Sequence, residues 1–139
     1  MNLLLYINQL NHICDIKLVK SDLFSAFKNK KFDLIVSNPP YLKRSEIKGS
    51  LKYEPREALL AGSNGLYFLE KILTFAPSFL KPGGFLVMEA GFRQKPALKA
   101  ILEKTGKYEI IEWIKDYGGN FRGVVAQSAW RIAQSVEKD

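Results

Sequence analysis

The chain has 139 residues, enough for one domain with a real core and too few for a second. Hydrophobic residues make up 47% and charged residues 25%, which excludes a disordered or fibrous chain, while a net charge of +7 permits an acidic partner such as RNA or a ribosome-associated protein. A single cysteine, Cys14, excludes an intramolecular disulfide and a thiolate metal cage; a single histidine, His12, excludes a His-rich metal site and leaves no paired base for a serine or cysteine nucleophile.

In chain order, Leu3 to Leu10 has the spacing of an amphipathic helix ending near Asn11, a residue that tolerates the left-handed turn of a helix terminus. Its apolar stretch, Leu3 to Ile7, is too short for a membrane span and is flanked by no basic leader or cleavage site. No membrane partner and a cytoplasmic location are therefore expected. Ile16, Leu18 and their neighbours predict a short strand, and Ser21-Asp22-Leu23-Phe24 then sets a carboxylate at that strand's carboxyl end. Asp22 reads either as a cap for the turn Leu23 to Phe27 or as a site residue. Lys28, Lys30 and Lys31 are the densest basic cluster, but the other lysines are scattered, the pattern of a solvated face rather than a nucleic-acid stripe.

The next stretch, Phe32 to Tyr41, organises the rest. Leu34, Ile35 and Val36 run without polar interruption, as in a strand buried on both faces of a parallel sheet. Pro39 and Pro40 end it, because neither can donate to a ladder, and Pro39 keeps Asn38 extended. Asn38 thus sits at the carboxyl end of a buried strand, where open α/β sheets place ligands. Its amide and the carbonyls of Pro39 and Pro40 form a cluster suited to a planar NH2 group. Such a nitrogen is a poor nucleophile, helped most by acceptors for its N–H groups and by alignment with an electrophile. Tyr41 can cover the flat face of that group while its hydroxyl stays in water. Taken alone, Asn-Pro-Pro-Tyr also fits a simple turn.

Leu42 to Glu57 mixes charges with Gly49 and Pro55 and predicts an irregular loop or short helix over the mouth of the site. Gly65 to Leu80 has helical spacing, with Pro77 breaking its last turn. Lys81-Pro82-Gly83-Gly84 predicts a turn, Phe85 to Glu89 a buried strand, and Gln94 to Leu102 a helix stopped at Gly106. Tyr108 to Ile114 and Val124 to Ile132, alternating around Gly118-Gly119, predict an antiparallel pair at the sheet edge.

Residues 33 to 41, Asp-Leu-Ile-Val-Ser-Asn-Pro-Pro-Tyr, resemble the fourth-strand motif of S-adenosylmethionine-dependent methyltransferases that modify adenine N6, guanine N2 or a glutamine amide. The order that follows is Glu54-Pro55-Arg56, Ala58-Leu59 and Gly62 to Leu66, with Asp116, Gly118 and Arg122 near the end. It is similar to that of the release factor protein-(glutamine-N5) methyltransferase family. The resemblance implies an α/β fold: a class I methyltransferase (Rossmann-like) sheet, truncated at its amino end, with a carboxyl-terminal antiparallel strand pair. It implies that Asp22 contacts the adenine amino group of S-adenosylmethionine, that Leu23 and Phe24 pack on the base, and that Asn38 lies beside the cofactor. Asn38, Pro39 and Pro40 would orient the acceptor amide, Tyr41 would pack on it, and Glu54 and Arg56 would lie on the substrate side. The implied partner is a peptide chain release factor; a nucleic-acid amine stacked on Tyr41 is the alternative acceptor, and a noncatalytic fragment is the alternative role.

The family's Gly-rich first turn and the acidic second strand are missing, and no glycine precedes Asn38. This chain on its own is therefore expected to bind S-adenosylmethionine weakly or not at all. The two missing strands also leave the Phe32 strand with an open side, so self-association or poor stability is expected.

Overall fold

The computed structural model describes residues 16–53, 55 and 65–129. The expectations for Leu3 to Leu10, Asn11, His12, Cys14, Glu54, Arg56, Ala58-Leu59 and Gly62 to Asn64, and the end of the last strand at Ile132, lie outside the described residues. Four strands are described: β1 (Phe32–Ser37), β2 (Leu80–Glu89), β3 (Tyr108–Lys115) and β4 (Phe121–Ser128). Two helices, α1 (Tyr67–Phe75) and α2 (Lys95–Thr105), join them in the order β1-α1-β2-α2-β3-β4. Across the sheet the order is β1-β2-β4-β3, with β1 parallel to β2 and the other two pairings antiparallel. This is the expected α/β fold with its antiparallel carboxyl-terminal pair, and β4 lies inside, between β2 and β3.

The helices form where the spacing predicts. On α1, Leu69, Ile72 and Leu73 are buried, one stripe at helical period. Pro77 cannot donate within a helix, and α1 gives way to a 3-10 turn over Ala76–Phe79. Helix α2 buries Leu98 and Leu102 and stops at Gly106, whose left-handed backbone (φ 61°) closes the last turn on the carbonyls of Leu102 and Glu103. These stripes meet one face of the sheet. Leu86 faces Ala126 and Met88 faces Val124 across the β2–β4 ladder, and all four are buried with the helix residues in one core. Ile35 of β1, opposite Leu86, packs against the same core.

The other face carries no helix among the described residues. Leu34 and Val36 are 53% and 69% exposed, and Phe85, the partner of Leu34, is also exposed. The expectation that Leu34, Ile35 and Val36 are buried on both faces is therefore corrected. Among the described residues β1 is an edge strand, and of these three only Ile35 turns toward the helices. The strand expected around Ile16 and Leu18 is also corrected: residues 16–20 are exposed and outside any ladder, since the one described partner of β1 is β2. Without a neighbour to take their backbone bonds, β-prone residues have no reason to be strand.

Lys81 to Gly84 do not form a connecting turn; they lie inside β2. A two-residue step on β1, Phe32 to Leu34, faces a five-residue step on β2, Leu80 to Phe85, so the segment bulges out of the ladder. Pro82 has no N–H for the ladder, which explains the interruption. Two bonds secure the bulge: the Lys81 ammonium reaches the Asp33 carboxylate at 2.8 Å, and Gln127 Nε2 donates to the Gly83 carbonyl at 2.9 Å.

Candidate functional site

The ladder of β1 ends with Ser37 opposite Met88. The next four residues then take different surroundings: Asn38 is exposed, Pro39 buried, Pro40 and Tyr41 half-buried. The Tyr41 hydroxyl donates to Glu89 Oε1 at 2.8 Å, and the Tyr41 carbonyl accepts from Gln94 Nε2 at 3.2 Å. The segment is therefore held at both ends, by the sheet before Asn38 and by side chains at Tyr41. Burial, and then the hydrogen bond to the Glu89 carboxylate, push the Tyr41 phenol above its usual range. The expectation of a solvated hydroxyl is corrected, since Glu89, at the end of the neighbouring strand, takes that hydrogen bond. Asn38 and Glu89 both lie at the carboxyl ends of the parallel pair β1 and β2, where α/β sheets gather ligand-binding groups.

Asp22 is exposed, and its carbonyl accepts from Ser25 N at 3.0 Å. Ser21, rather than Asp22, caps this turn: its Oγ accepts from Ala26 N and donates to the Leu23 carbonyl, both at 3.0 Å. The serine oxygen reaches the turn's free N–H, which leaves the Asp22 carboxylate toward solvent. Asp22 borders an open cleft of about 380 Å³ lined by Leu23, Phe24, Lys71, Phe75 and Phe79. A second cleft of about 310 Å³ shares Leu23 and Phe24 and follows β1 from Phe32 to Ser37, with Ile72 behind it. Phe24 is stacked on Phe79 with ring centroids 4.7 Å apart, so it is a fixed wall of both clefts. Leu23 and Phe24 thus come beside the strand that carries Asn38, and Asp22 stands at the rim of the other cleft.

At the β3–β4 hairpin, Asp116 accepts from the Asn120 backbone N–H at 2.9 Å and from Arg122 Nε at 3.0 Å. The first of these, with Arg122 behind it, holds the Asp116 carboxyl below the usual range. The Arg122 carbonyl accepts from Ala90 N at 2.9 Å, which ties the hairpin to the end of β2 beside Glu89. Glu89 and Gln94 are the residues that motif reading missed. Glu89 carried a signal, a carboxylate closing the apolar run Phe85 to Glu89, by the rule that singled out Asp22. Gln94 carried none beyond the start of a helix. Among the described residues no group of three or more His, Cys, Asp or Glu could hold a metal ion, and no helix is long and apolar enough to cross a membrane.

The family model described as Eco57I restriction-modification methylase matches residues 3–119. The release factor glutamine methyltransferase of Salmonella typhimurium is 41% identical over 113 residues, 79% of this chain and 40% of that protein. That of Fusobacterium nucleatum is 38% identical over 125 residues, 86% of this chain and 35% of that protein. A solved methyltransferase from Pyrococcus furiosus aligns with a TM-score of 0.48 at 26% identity, over 71% of this chain and 41% of that one. The chain thus spans about two fifths of the length of these curated relatives.

Proposed function

Since the chain belongs to the Eco57I restriction-modification methylase family, we propose that it forms the acceptor side of an S-adenosylmethionine-dependent transfer of methyl to the N5 amide nitrogen of a glutamine in a peptide chain release factor. The likeness to release factor glutamine methyltransferases supports the choice of acceptor. One structural observation carries the chemistry: Asn38 is exposed on a segment whose two ends are fixed. An amide held this way can accept from one N–H of a glutamine side chain and donate to its carbonyl, and the Pro39 carbonyl can accept from the other N–H. Both bonds aim the nitrogen and favour its charge development, which is orientation catalysis rather than strong acid–base work. The proton leaves the nitrogen after transfer, and no general base is required. Tyr41, fixed by Glu89, forms a wall for the planar group. A cytoplasmic location goes with a release factor partner.

For the cofactor, the fit is partial. The apolar walls of Leu23, Phe24, Ile35 and Ile72 suit a flat adenine ring, while the Asp22 carboxylate, which can accept from an exocyclic amine, borders the adjoining cleft on the other side of Leu23 and Phe24. When bound, S-adenosylmethionine supplies the electrophilic methyl group. No glycine precedes Asn38 to form a turn of backbone donors for the rest of that molecule, so weak binding by this chain alone belongs to the proposal. The test uses labelled S-adenosylmethionine at millimolar concentration with three acceptors: a release factor, a release factor with its acceptor glutamine replaced, and an adenine-containing DNA. Label on the first alone is the expected result. Label on the DNA alone would move the reaction to a nucleic-acid amine, and no label on any acceptor would leave this chain a noncatalytic member of the family.

A further inference from the structure

The proposed chemistry needs Asn38 to point in one direction, yet among the described residues its side chain has no hydrogen-bond partner. Its aim must come from the backbone. Ser37 is fixed by the β1–β2 ladder, and the rings of Pro39 and Pro40 fix two of the next φ angles. The segment then reaches Tyr41, whose hydroxyl is held by Glu89 and whose main-chain carbonyl is held by a second side chain.

That side chain is Gln94, half-buried just before α2. Its Oε1 accepts from the Gly91 N–H at 2.8 Å, and its Nε2 donates to the Gly65 carbonyl at 2.9 Å and to the Tyr41 carbonyl at 3.2 Å. One donor faces the oxygen and two acceptors face the nitrogen, so the orientation of the amide follows from its partners. The three partners come from three separate segments: the motif turn, the approach to α1 and the turn after β2. The slot around the amide also depends on two glycines. At Gly65, whose φ is +75°, a Cβ would stand 2.7 Å from the Tyr41 carbonyl oxygen and 3.0 Å from Gln94 Nε2. At Gly91, a Cβ would stand 3.1 Å from Gln94 Oε1 and 3.3 Å from Tyr41 Cδ2. No other side chain reproduces this pattern. Glutamate would set a carboxylate against two carbonyls, and asparagine is one methylene too short.

We infer that Gln94 is the positioning residue that fixes the Asn38–Tyr41 turn, and through it the direction of the Asn38 amide, without touching a substrate. The inference deepens the proposed function and rests on it for its catalytic consequence; the geometric part stands separately. The experiment uses the whole chain as wild type, Gln94→Ala, Gln94→Glu and Gly65→Ala, each followed by amide NMR with hydrogen exchange and by glutamine methylation kinetics. In Gln94→Ala the Gly91 N–H should exchange about tenfold faster. In Gln94→Glu that bond is kept while the two donated ones are lost, and in all three variants the Asn38 side-chain NH2 and the Tyr41 amide signals should shift and broaden. The Val87 and Val125 amides, in the β2–β4 ladder, should keep their protection throughout. Turnover should fall about 10²-fold while KM for S-adenosylmethionine changes little, as expected when orientation rather than binding is lost. Unchanged Asn38 and Tyr41 signals, or ladder protection falling in step with them, would overturn the inference, and so would unchanged turnover in a chain whose wild type transfers methyl. A wild type that methylates no glutamine would defeat the functional reading alone, with the NMR result still deciding the role of Gln94.

Discussion

The two sides of β2 are built to different standards. Toward β4 and β3, two ladders run side by side, the outer one stepping past Ile111, and the buried side chains of Leu86, Met88, Val124 and Ala126 meet two helices. Toward β1 there is one ladder, interrupted by the bulge at Lys81 to Gly84, and beyond it lie exposed Leu34 and Val36. The proposed chemistry lies on the second side. The comparison teaches that precision at this site does not come from burial. It comes from a few directed hydrogen bonds that reach across from the well-packed side, from Glu89 and Gln94 to Tyr41.

The comparison can be broken most directly by removing side chains from each half. Leu73→Ala, in the closed half with no exposure, should cost about 2–5 kcal/mol by denaturant unfolding. An effect below about 1 kcal/mol would mean that the core is not the source of stability. Asn38→Ala, in the open half, should lower turnover about 10²-fold or more while leaving unfolding and cofactor affinity nearly unchanged. Kinetics and calorimetry on one preparation decide this, and affinity collapsing with turnover would contradict it. Between these lies Tyr41→Phe, which deletes the bond to Glu89 and should cost about 1 kcal/mol.

These expectations follow the line between what was legible in the sequence and what was not. Strand β1, its proline stop, the stripe of α1, the Gly106 stop and the Gly118-Gly119 hairpin are local patterns, each decided within a few residues of chain. The Tyr41–Glu89 and Tyr41–Gln94 bonds join residues 48 and 53 positions apart, and nothing near either end announces them. The strand expected at Ile16 failed for a related reason, since strand propensity specifies a residue type and a ladder needs a partner. Asp22 shows the limit of capping rules: two residues side by side, Ser21 and Asp22, both suited the turn, and the fold used the serine.

A finer test of the comparison is association. The edge of β1 that has no partner among the described residues can pair with a second copy of itself about a twofold axis, an arrangement that satisfies both edges. Sedimentation at tens of micromolar should show a dimer, and Val36→Lys should shift it toward monomer with less than about 0.5 kcal/mol of change in monomer stability. A wild-type monomer with an ordinary cooperative transition would show that the edge is closed in another way. The smallest difference should appear in alkali. Tyr108, mostly buried in the closed half with its hydroxyl donating to the Leu73 carbonyl at 2.9 Å, has a phenol that burial pushes well up; Tyr41 is raised too. Because the folded state holds these protons more tightly than the unfolded chain, their contribution is complete below pH of about 10 and is lost as pH rises toward the folded values. Unfolding followed from pH 8 to 11 should weaken at the upper end, and Tyr108→Phe should flatten that fall more than Tyr41→Phe.

The parallel pairing of β1 with β2 has a consequence in time. Antiparallel β3 and β4 meet across a short hairpin, Lys115 facing Phe121, whereas β1 must find β2 over a crossover of about fifty residues, Leu34 facing Phe85. Closing the longer loop carries the larger entropy cost before any contact repays it, and such pairings form late in folding. On refolding, the β3–β4 hairpin is therefore expected to pair before β1 finds β2. The strand that carries Asn38 would then join late, and the site would be completed when Tyr41 reaches Glu89 and Gln94.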